Sequence, residues 1–103
     1  MCKKTNQSTD GTSFQGVTIL TSVQNLINVF GEPTVQDNTG EDKVNFEWDM
    51  ETRDGDVFTI YDWKEYRKLD LNEPIEFHIG SFSKGNSLDA QSEVLKELFV
   101  YVS

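Results

Sequence analysis

The sequence has little cysteine, little basic charge and no long apolar run, and each shortage argues against a class of protein. Cys2 is the one cysteine among 103 residues, so neither an intrachain disulfide nor a thiolate metal cluster can form. Nine Lys and Arg residues stand against eighteen Asp and Glu residues, a net charge of −9, which argues against a nonspecific grip on DNA, RNA or an anionic membrane. No segment is long enough to span a membrane, and residues 1–4 lack the apolar run of a signal peptide, so we expect a cytosolic protein.

Histidine is also scarce, which bears on catalysis. His78 is the only one, and no residues at recognisable spacing supply the other ligands of a zinc site. Glu76 and His78 share a strand face and could form an acid/base pair, but no Ser, Thr or Cys stands in a nucleophile motif. We therefore expect no metal, no cofactor and no enzymatic activity.

The length and composition favour one folded domain. Apolar residues make up 36% of the chain and aromatic residues 12%, which suits a packed core and is too aromatic for a disordered chain. A doubly wound nucleotide fold or a TIM barrel needs more residues than these. Residues 1–14 contain almost nothing to bury, so we predict a flexible N-terminal tail followed by a single domain at residues 15–103.

A short amphipathic helix is predicted at residues 21–30. Apolar side chains recur there at i, i+3, i+4 and i+7, at Val23, Leu26, Ile27 and Phe30. Thr21 and Gln24 fit a capping box with Thr21 as the N-cap, and Gly31 ends the helix.

Three strands and a second helix are predicted to follow. Residues 43–51, 56–64 and 74–80 alternate apolar and polar side chains, as half-buried strands do. A helix from about residue 87 has on one side Leu88, Gln91, Val94, Leu95, Leu98 and Val102. The order is helix, three-stranded antiparallel meander, helix, which predicts a small α+β domain with the helices on one sheet face.

The turn between the first two strands determines which residues share a face. A two-residue turn would pair Glu51 with Phe58 and bring a carboxylate beside core residues. A three-residue turn, with Gly55 in the left-handed conformation, instead pairs Met50 with Phe58 and Trp48 with Ile60, and we favour it.

This register places Tyr61 and Trp63 on the face away from the core, and Asp62 on the core face near Phe46. Two aromatic rings on an open sheet face form a stacking platform of the kind that holds nucleobases. The alternative is that a partner subunit or the N-terminal segment packs against this face. Both interpretations can hold together.

Charge is unevenly distributed. Residues 32–62 contain ten acidic and two basic residues, a net charge of −8, whereas residues 63–68 carry a net charge of +2. An aromatic and basic island therefore follows directly on an acidic segment. The alternative interpretation is an ordinary loop with solvated charges.

The loop at residues 80–87 has the GxxxxG spacing of a degenerate Walker loop. Lys84 stands two positions too early, so we do not expect an NTPase. Converging backbone N–H groups, the following helix N-terminus and the side chains of Ser83, Lys84 and Ser87 could still bind a phosphate. A plain helix-start loop is the alternative.

Residues 56–67 (DVFTIYDWKEYR) and 76–80 (EFHIG) resemble a widespread family of small phage-encoded proteins. Its pattern is a Trp strand, an Asp-Gly turn, a VFTIYDWKEYR strand, a WHIGG strand and a closing helix, matching roughly residues 20–100. This chain has Phe77 for the usual Trp and Ser81 for the second Gly. The family is associated with anti-CBASS sponges, so the resemblance implies an oligomeric binder, a dimer or tetramer, that sequesters cyclic dinucleotide immune signals in the host cytosol without cleaving them.

A cyclic dinucleotide offers two bases to stack, two phosphates to neutralise and several base edges to contact. The predicted ligand-binding residues are Tyr61, Asp62, Trp63, Lys64, Tyr66, Arg67, His78, Ser83 and Lys84. We expect the aromatic rings to stack, the basic side chains to meet phosphates, and Asp62, His78 and Glu47 to contact base edges. The alternative function is an acidic protein–protein inhibitor of the DNA-mimic type, which the −8 segment supports.

Overall fold

The computed structural model describes residues 1–102, which form six strands and two helices. In chain order these are β1 (Lys3–Lys4), β2 (Ser13–Thr21), α1 (Val23–Phe30), β3 (Val35–Gln36), β4 (Phe46–Glu51), β5 (Val57–Tyr61), β6 (Ile75–Ser81) and α2 (Lys84–Val102). All strand pairs are antiparallel, in the order β1-β4-β5-β6-β2, and β3 also pairs with β4. The predicted α+β class is confirmed. The predicted three-stranded sheet is too small, because β1 and β3 pair with β4 at one edge of the meander and β2 pairs with β6 at the other.

The first helix begins one residue later than its capping-box prediction. Ser22, not Thr21, is the N-cap, and its hydroxyl accepts a hydrogen bond from the backbone N–H of Asn25 at 3.1 Å. Gly31 ends the helix as expected, with its N–H donating to the Ile27 carbonyl at 2.8 Å.

The predicted hairpin register between β4 and β5 is confirmed. Met50 lies opposite Phe58 and Trp48 opposite Ile60. The turn is closed by a hydrogen bond from the Thr52 N–H to the Asp56 carbonyl. Gly55 has φ +89°, the left-handed conformation that this turn requires and that glycine adopts without a steric penalty.

One hydrophobic core joins the helices to one face of the sheet. Trp48, Phe58 and Phe77 are fully buried there with Val23 and Leu26 of α1. The second helix, which begins at Lys84 and not near residue 87, packs through a face of small and branched side chains: Ser87, Ala90, Val94 and Leu98.

That helix face differs from the predicted one. Leu88 and Leu95 were expected to face the core, but each follows a buried position by one residue, about 100° around the helix, and both are exposed. The side chain of Val102 lies outside the described residues.

The structure places the N-terminal residues, for which a flexible tail is predicted, against the rest of the fold. Cys2 is buried, and its thiol donates a hydrogen bond to Glu97 of α2 at 2.8 Å. Strands β1 and β2 lie at opposite edges of the sheet, so residues 5–12 between them must cross one of its faces. We call residues 5–12 the strap.

The strap crosses the face opposite the helices, which we call the outer face. Thr9 and Thr12 border a cavity there together with Thr59 of β5, and the Thr5 N–H donates to the Asp49 carbonyl at 3.1 Å. Val57 and Thr59 point to this face and are only 5% exposed. Polar residues with no apolar periodicity therefore cover part of the sheet, one of the two alternatives the sequence left open for this face.

Candidate functional site

Four aromatic rings form one cluster on the outer face. Three of them lie on strands β2, β5 and β6, and the fourth lies in the loop that follows β5. The cluster consists of Phe14, Tyr61, Trp63 and His78. His78 stacks on Phe14 with ring centroids 3.9 Å apart and planes 15° apart, and on Trp63 at 6.2 Å and 28°. Tyr61 meets both Trp63 and His78 edge to face, at 6.0 Å and 5.5 Å. The predicted stacking platform is therefore present, and Phe14 enlarges it.

Register explains why these rings meet. Tyr61 and His78 are direct partners across β5 and β6, and Trp63 continues the same side of the chain two residues later. Partial burial among the rings lowers the pKa of His78 below its ordinary value, which favours the neutral imidazole at pH 7. A neutral, flat imidazole fits a stacked cluster better than a cation that would need water or a counter-charge.

A cavity of about 210 Å³ lies between this cluster and the strap. Its lining residues are Thr9, Thr12, Ser13, Val44, Glu47, Thr59, Tyr61, Trp63 and Gly80. The floor depends on Gly80, because a Cβ there would lie 2.7 Å from the Thr59 hydroxyl and 3.4 Å from the Tyr61 ring. The cavity thus has an aromatic wall, a ring of hydroxyl groups and one carboxyl group.

That carboxyl group belongs to Glu47, and its environment is unusual. Glu47 and Asp49 point to the same face of β4, and Asp49 Oδ1 is buried without a hydrogen-bond partner. Burial, a hydrogen bond to Asp49 and the charge of Asp49 raise the pKa of Glu47 to about 7. Burial, with the charge of Glu47, also raises the pKa of Tyr61. Glu47 can therefore exchange a proton near neutral pH at the edge of the cavity.

Two ammonium groups lie near the ring of Trp63, which forms part of the cavity wall. Lys43 Nζ lies 5.9 Å and Lys64 Nζ 5.6 Å from the centre of the Trp63 ring, within cation–π range. A hydrogen bond from the Lys64 N–H to the Lys43 carbonyl, at 2.8 Å, holds the two segments side by side. Within the described part of the chain neither lysine makes an ion pair. Positive charge therefore collects beside an aromatic ring in an otherwise acidic protein.

The loop that presents Trp63 and Lys64 is fixed by Asp62. This carboxylate is fully buried and accepts hydrogen bonds from the N–H groups of Asn45 at 2.9 Å and Phe46 at 2.8 Å, and from the Asn45 amide at 3.1 Å. Its predicted place on the core side is confirmed. Asp62 was also predicted to contact ligand, but the structure places it as a buried support whose oxygens are already bonded to the protein.

Backbone strain marks the same loop. Lys64 and Tyr66 adopt left-handed conformations, with φ of 55° and 50°, which cost a side-chain-bearing residue roughly 1–3 kcal/mol each. The Asn45 amide also donates to the Arg67 carbonyl at 3.0 Å. Strained residues held by a buried network are typical of functional sites, and here the strain orients a cation over Trp63.

Two predicted phosphate-binding residues of this loop are placed differently. Arg67 forms a two-pronged ion pair with Glu73, with N–O distances of 2.6 and 3.0 Å, so its guanidinium fork is already engaged. Tyr66 is exposed, and no ring contact joins it to the cluster among the described residues. Lys64 is the member of the predicted basic group that the structure brings to the aromatic rings.

The Walker-like loop forms an ordinary helix start. The Ser83 hydroxyl accepts a hydrogen bond from the Asn86 N–H at 3.2 Å, as an N-cap does. The hydroxyl of Ser87 is buried and lies 2.6 Å from that of Ser81. Lys84 is exposed on the first turn of α2. These residues are separate from the cavity, and their hydroxyl groups are used within the loop.

Sequence reasoning missed Phe14 and Lys43 as parts of the site, and it gave the N-terminal segment only as one alternative cover for the outer face. Lys43 had a weak signal, since it is one of only two basic residues in the acidic segment 32–62. Phe14 had none, because its position depends on which sheet edge β2 joins. That pairing connects residues 54 to 68 positions apart in the chain.

Two larger grooves lie along α2 and have a different character. One, of about 360 Å³, includes Met1, Val29 and Val100, and the other, of about 670 Å³, includes Leu20 and Phe99. Both are lined mainly by apolar side chains, which suits an apolar partner better than an anionic ligand.

Comparisons with known proteins add no relative: no family model, no curated protein and no solved structure matches the chain. Among the described residues, His, Cys, Asp and Glu side chains do not gather in a group of three that could hold a metal ion. None of the described helices has the length and apolar character needed to cross a membrane.

Proposed function

We propose that this protein is a phage immune-evasion protein that binds cyclic dinucleotide signals of bacterial anti-phage defence and sequesters them without cleaving them. One observation supports this above the others: Tyr61 and Trp63 line the cavity, and the ammonium groups of Lys43 and Lys64 lie 5.9 and 5.6 Å from the centre of the Trp63 ring. A nucleobase is flat and a neighbouring phosphate is anionic. The aromatic wall of the cavity suits the base, and the two neighbouring lysines suit the phosphate.

The roles follow from the contacts. The base enters the cavity and stacks on Trp63 or Tyr61, while Lys43 and Lys64 neutralise the phosphate that stays outside. His78 and Phe14 back the ring system and keep Trp63 in place. Asp62 and Arg67, first predicted as ligand contacts, support the loop in this proposal.

The size of the cavity bears on stoichiometry. Pockets that enclose a small-molecule ligand usually measure roughly 300–1,000 Å³, whereas this cavity measures about 210 Å³. It suits one base rather than a complete cyclic dinucleotide. A ligand with two bases would then bridge two copies of the chain, which gives a homo-oligomer, a dimer or tetramer, with a shared ligand.

An energy estimate favours the same arrangement. Stacking contributes about 1–3 kcal/mol per base, and a hydrogen bond to a charged group about 1.5–3 kcal/mol. Two of each give roughly 5–12 kcal/mol, against about 12 kcal/mol for nanomolar binding. Both bases and both phosphates must therefore be held, and one protomer offers a cavity for one base.

The decisive experiment separates binding from catalysis. The purified protein is incubated with a panel of cyclic dinucleotides, freed of excess ligand, heat-denatured, and the released nucleotide is analysed by mass spectrometry. Intact ligand at about one molecule per two chains supports the proposal. Altered nucleotide would instead indicate an enzyme.

A second candidate, an acidic protein–protein inhibitor of the DNA-mimic type, is favoured by the exposed carboxylates of Glu32, Asp37, Glu41 and Asp42 in one segment. The aromatic cluster and its two lysines have no role in imitating DNA. If the panel gives no retained nucleotide, this second candidate becomes the better explanation of the acidic surface.

A further inference from the structure

The cavity has one charged group in its lining among the described residues, the carboxyl of Glu47. Glu47 and Tyr61 are direct cross-strand partners on β4 and β5, so the carboxyl lies beside the tyrosine ring. A base stacked on the aromatic wall therefore presents its edge to Glu47. The other polar side chains of the lining carry hydroxyl groups, which donate or accept by rotation and do not discriminate between bases: Thr9, Thr12, Ser13, Thr59 and Tyr61.

We infer that Glu47 makes the cavity selective for guanine over adenine, an inference that rests on the proposed nucleotide-binding function. Guanine carries two adjacent donors, N1–H and the N2 amino group, on its pairing edge. A carboxylate has two acceptor oxygens and matches both in a bidentate contact. Adenine offers one donor beside the N1 acceptor, whose lone pair would face a carboxylate oxygen.

The position of the lysines sets the orientation of the base. Lys43 and Lys64 lie over Trp63 and are not among the residues that line the cavity, so in this proposal the phosphate stays outside and the pairing edge of the base points inward. Asp49, two residues along the same face of β4, adds a second acceptor beside Glu47: its Oδ1 is buried without a hydrogen-bond partner among the described residues. A ligand edge with two donors suits this pair of carboxyl groups better than an edge with an acceptor.

Calorimetric titration with cyclic di-GMP and cyclic di-AMP tests the inference, because the two probes share one backbone and differ only in their bases. The titration is run well above the Glu47 pKa of about 7, so that the wild-type side chain is a carboxylate with two acceptor oxygens. We expect the wild-type protein to bind cyclic di-GMP at least about tenfold more tightly, the discrimination that one good bidentate contact supplies. In Glu47→Gln the preference should vanish or reverse, since an amide offers one donor and one acceptor, the pattern that adenine complements. Glu51→Gln, on the same face of β4 but outside the cavity lining, should keep the wild-type ratio.

The outcomes separate this inference from the proposed function. Equal affinity of the wild-type protein for both probes, or an unchanged ratio in Glu47→Gln, would overturn guanine selectivity while leaving nucleotide binding intact. Binding of neither probe by the wild-type protein would overturn the proposed function and the inference with it. A thermal melt of each variant verifies folding, and Glu47→Gln removes a buried carboxyl rather than adding one, so we expect it to fold.

Discussion

The two faces of the sheet carry similar aromatic side chains but bury them to different extents. On the face covered by the helices, Trp48, Phe58 and Phe77 are fully buried within one continuous core. On the outer face, Phe14 and Trp63 remain 44% and 39% exposed beside hydroxyl and carboxyl groups. The element that crosses this face is the irregular strap. One face supplies most of the hydrophobic stabilisation. The other can therefore keep part of its aromatic surface exposed to solvent.

The largest expected difference in stability is between two aromatic residues of β5 that lie on opposite faces of the sheet. Phe58→Ala should lower the free energy of unfolding by about 3–5 kcal/mol, because it empties part of the core. Tyr61→Ala, three residues along β5 on the outer face, should cost clearly less because its ring is already partly solvated. Urea denaturation of both variants measures the difference. Equal losses would show that the outer face is as important to stability as the core.

The second contrast concerns two neighbouring residues, Asp62 and Trp63. Asp62→Ala should destabilise the protein by about 2–4 kcal/mol, because it leaves the buried N–H groups of Asn45 and Phe46 without their acceptor. Asp62→Asn retains one acceptor oxygen and should lose less. Chemical denaturation measures both, and an unaffected Asp62→Ala protein would contradict the structural role assigned to this carboxylate.

Trp63 itself should matter for ligand and little for folding. Trp63→Ala should weaken binding of a cyclic dinucleotide by about 1–3 kcal/mol through lost stacking, with an almost unchanged unfolding transition. Arg67→Ala is the matched control from the same loop: its guanidinium pairs with Glu73, so we expect unchanged affinity. Titration calorimetry compares the two variants. A loss of affinity in Arg67→Ala would return that residue to the ligand site, as the sequence first predicted.

The smallest expected effect is a pH dependence from Glu47 on the outer face. Because the folded-state pKa is raised from 4.5 to about 7, the folded protein holds this proton more tightly than the unfolded chain. The stability contribution is full below about pH 4.5 and is lost as the pH rises through about 7. With solvent screening at this half-buried site, we expect about 1–2 kcal/mol.

Glu47→Gln provides the control for that pH dependence, since an amide does not titrate. The difference between the wild-type and variant denaturation midpoints should change between pH 4.5 and 7 and then level off. A difference that stays constant over this range would contradict the raised pKa of Glu47.

Local patterns were sufficient for much of the helix-covered face. The spacing of Val23 and Leu26 predicted α1, and the cost of placing a carboxylate beside Phe58 selected the three-residue turn. Both arguments depend on residues near each other in the chain. Burial periodicity and turn geometry are short-range, so they are visible in a sequence.

The outer face could be predicted only in part, for a physical reason. Tyr61 and Trp63 follow from the alternation of one strand, and His78 from its partner strand. Their neighbours Phe14 and Lys43 arrive by long-range pairing, which no local period encodes. The ion-pair partner of Arg67 also could not be predicted from local patterns. Several carboxylates are near it in the chain, and the path of the loop brings Glu73 to its guanidinium group.

The sequence alone determined the presence of the two helices, the hairpin register and the sides of the sheet on which the residues of β4 and β5 lie, because a two-residue or 3.6-residue period requires only neighbours. The tertiary structure decided the rest of the site. It brought the polar strap of residues 5–12 across the outer face by attaching β1 and β2 to opposite sheet edges. It also made Asp62 a buried support, by placing it against the N–H groups of Asn45 and Phe46. Hydrogen bonds between segments that are distant in the chain fix these positions. Because almost every residue has the same backbone donor and acceptor, the side-chain pattern of a sequence does not indicate which distant segments will pair.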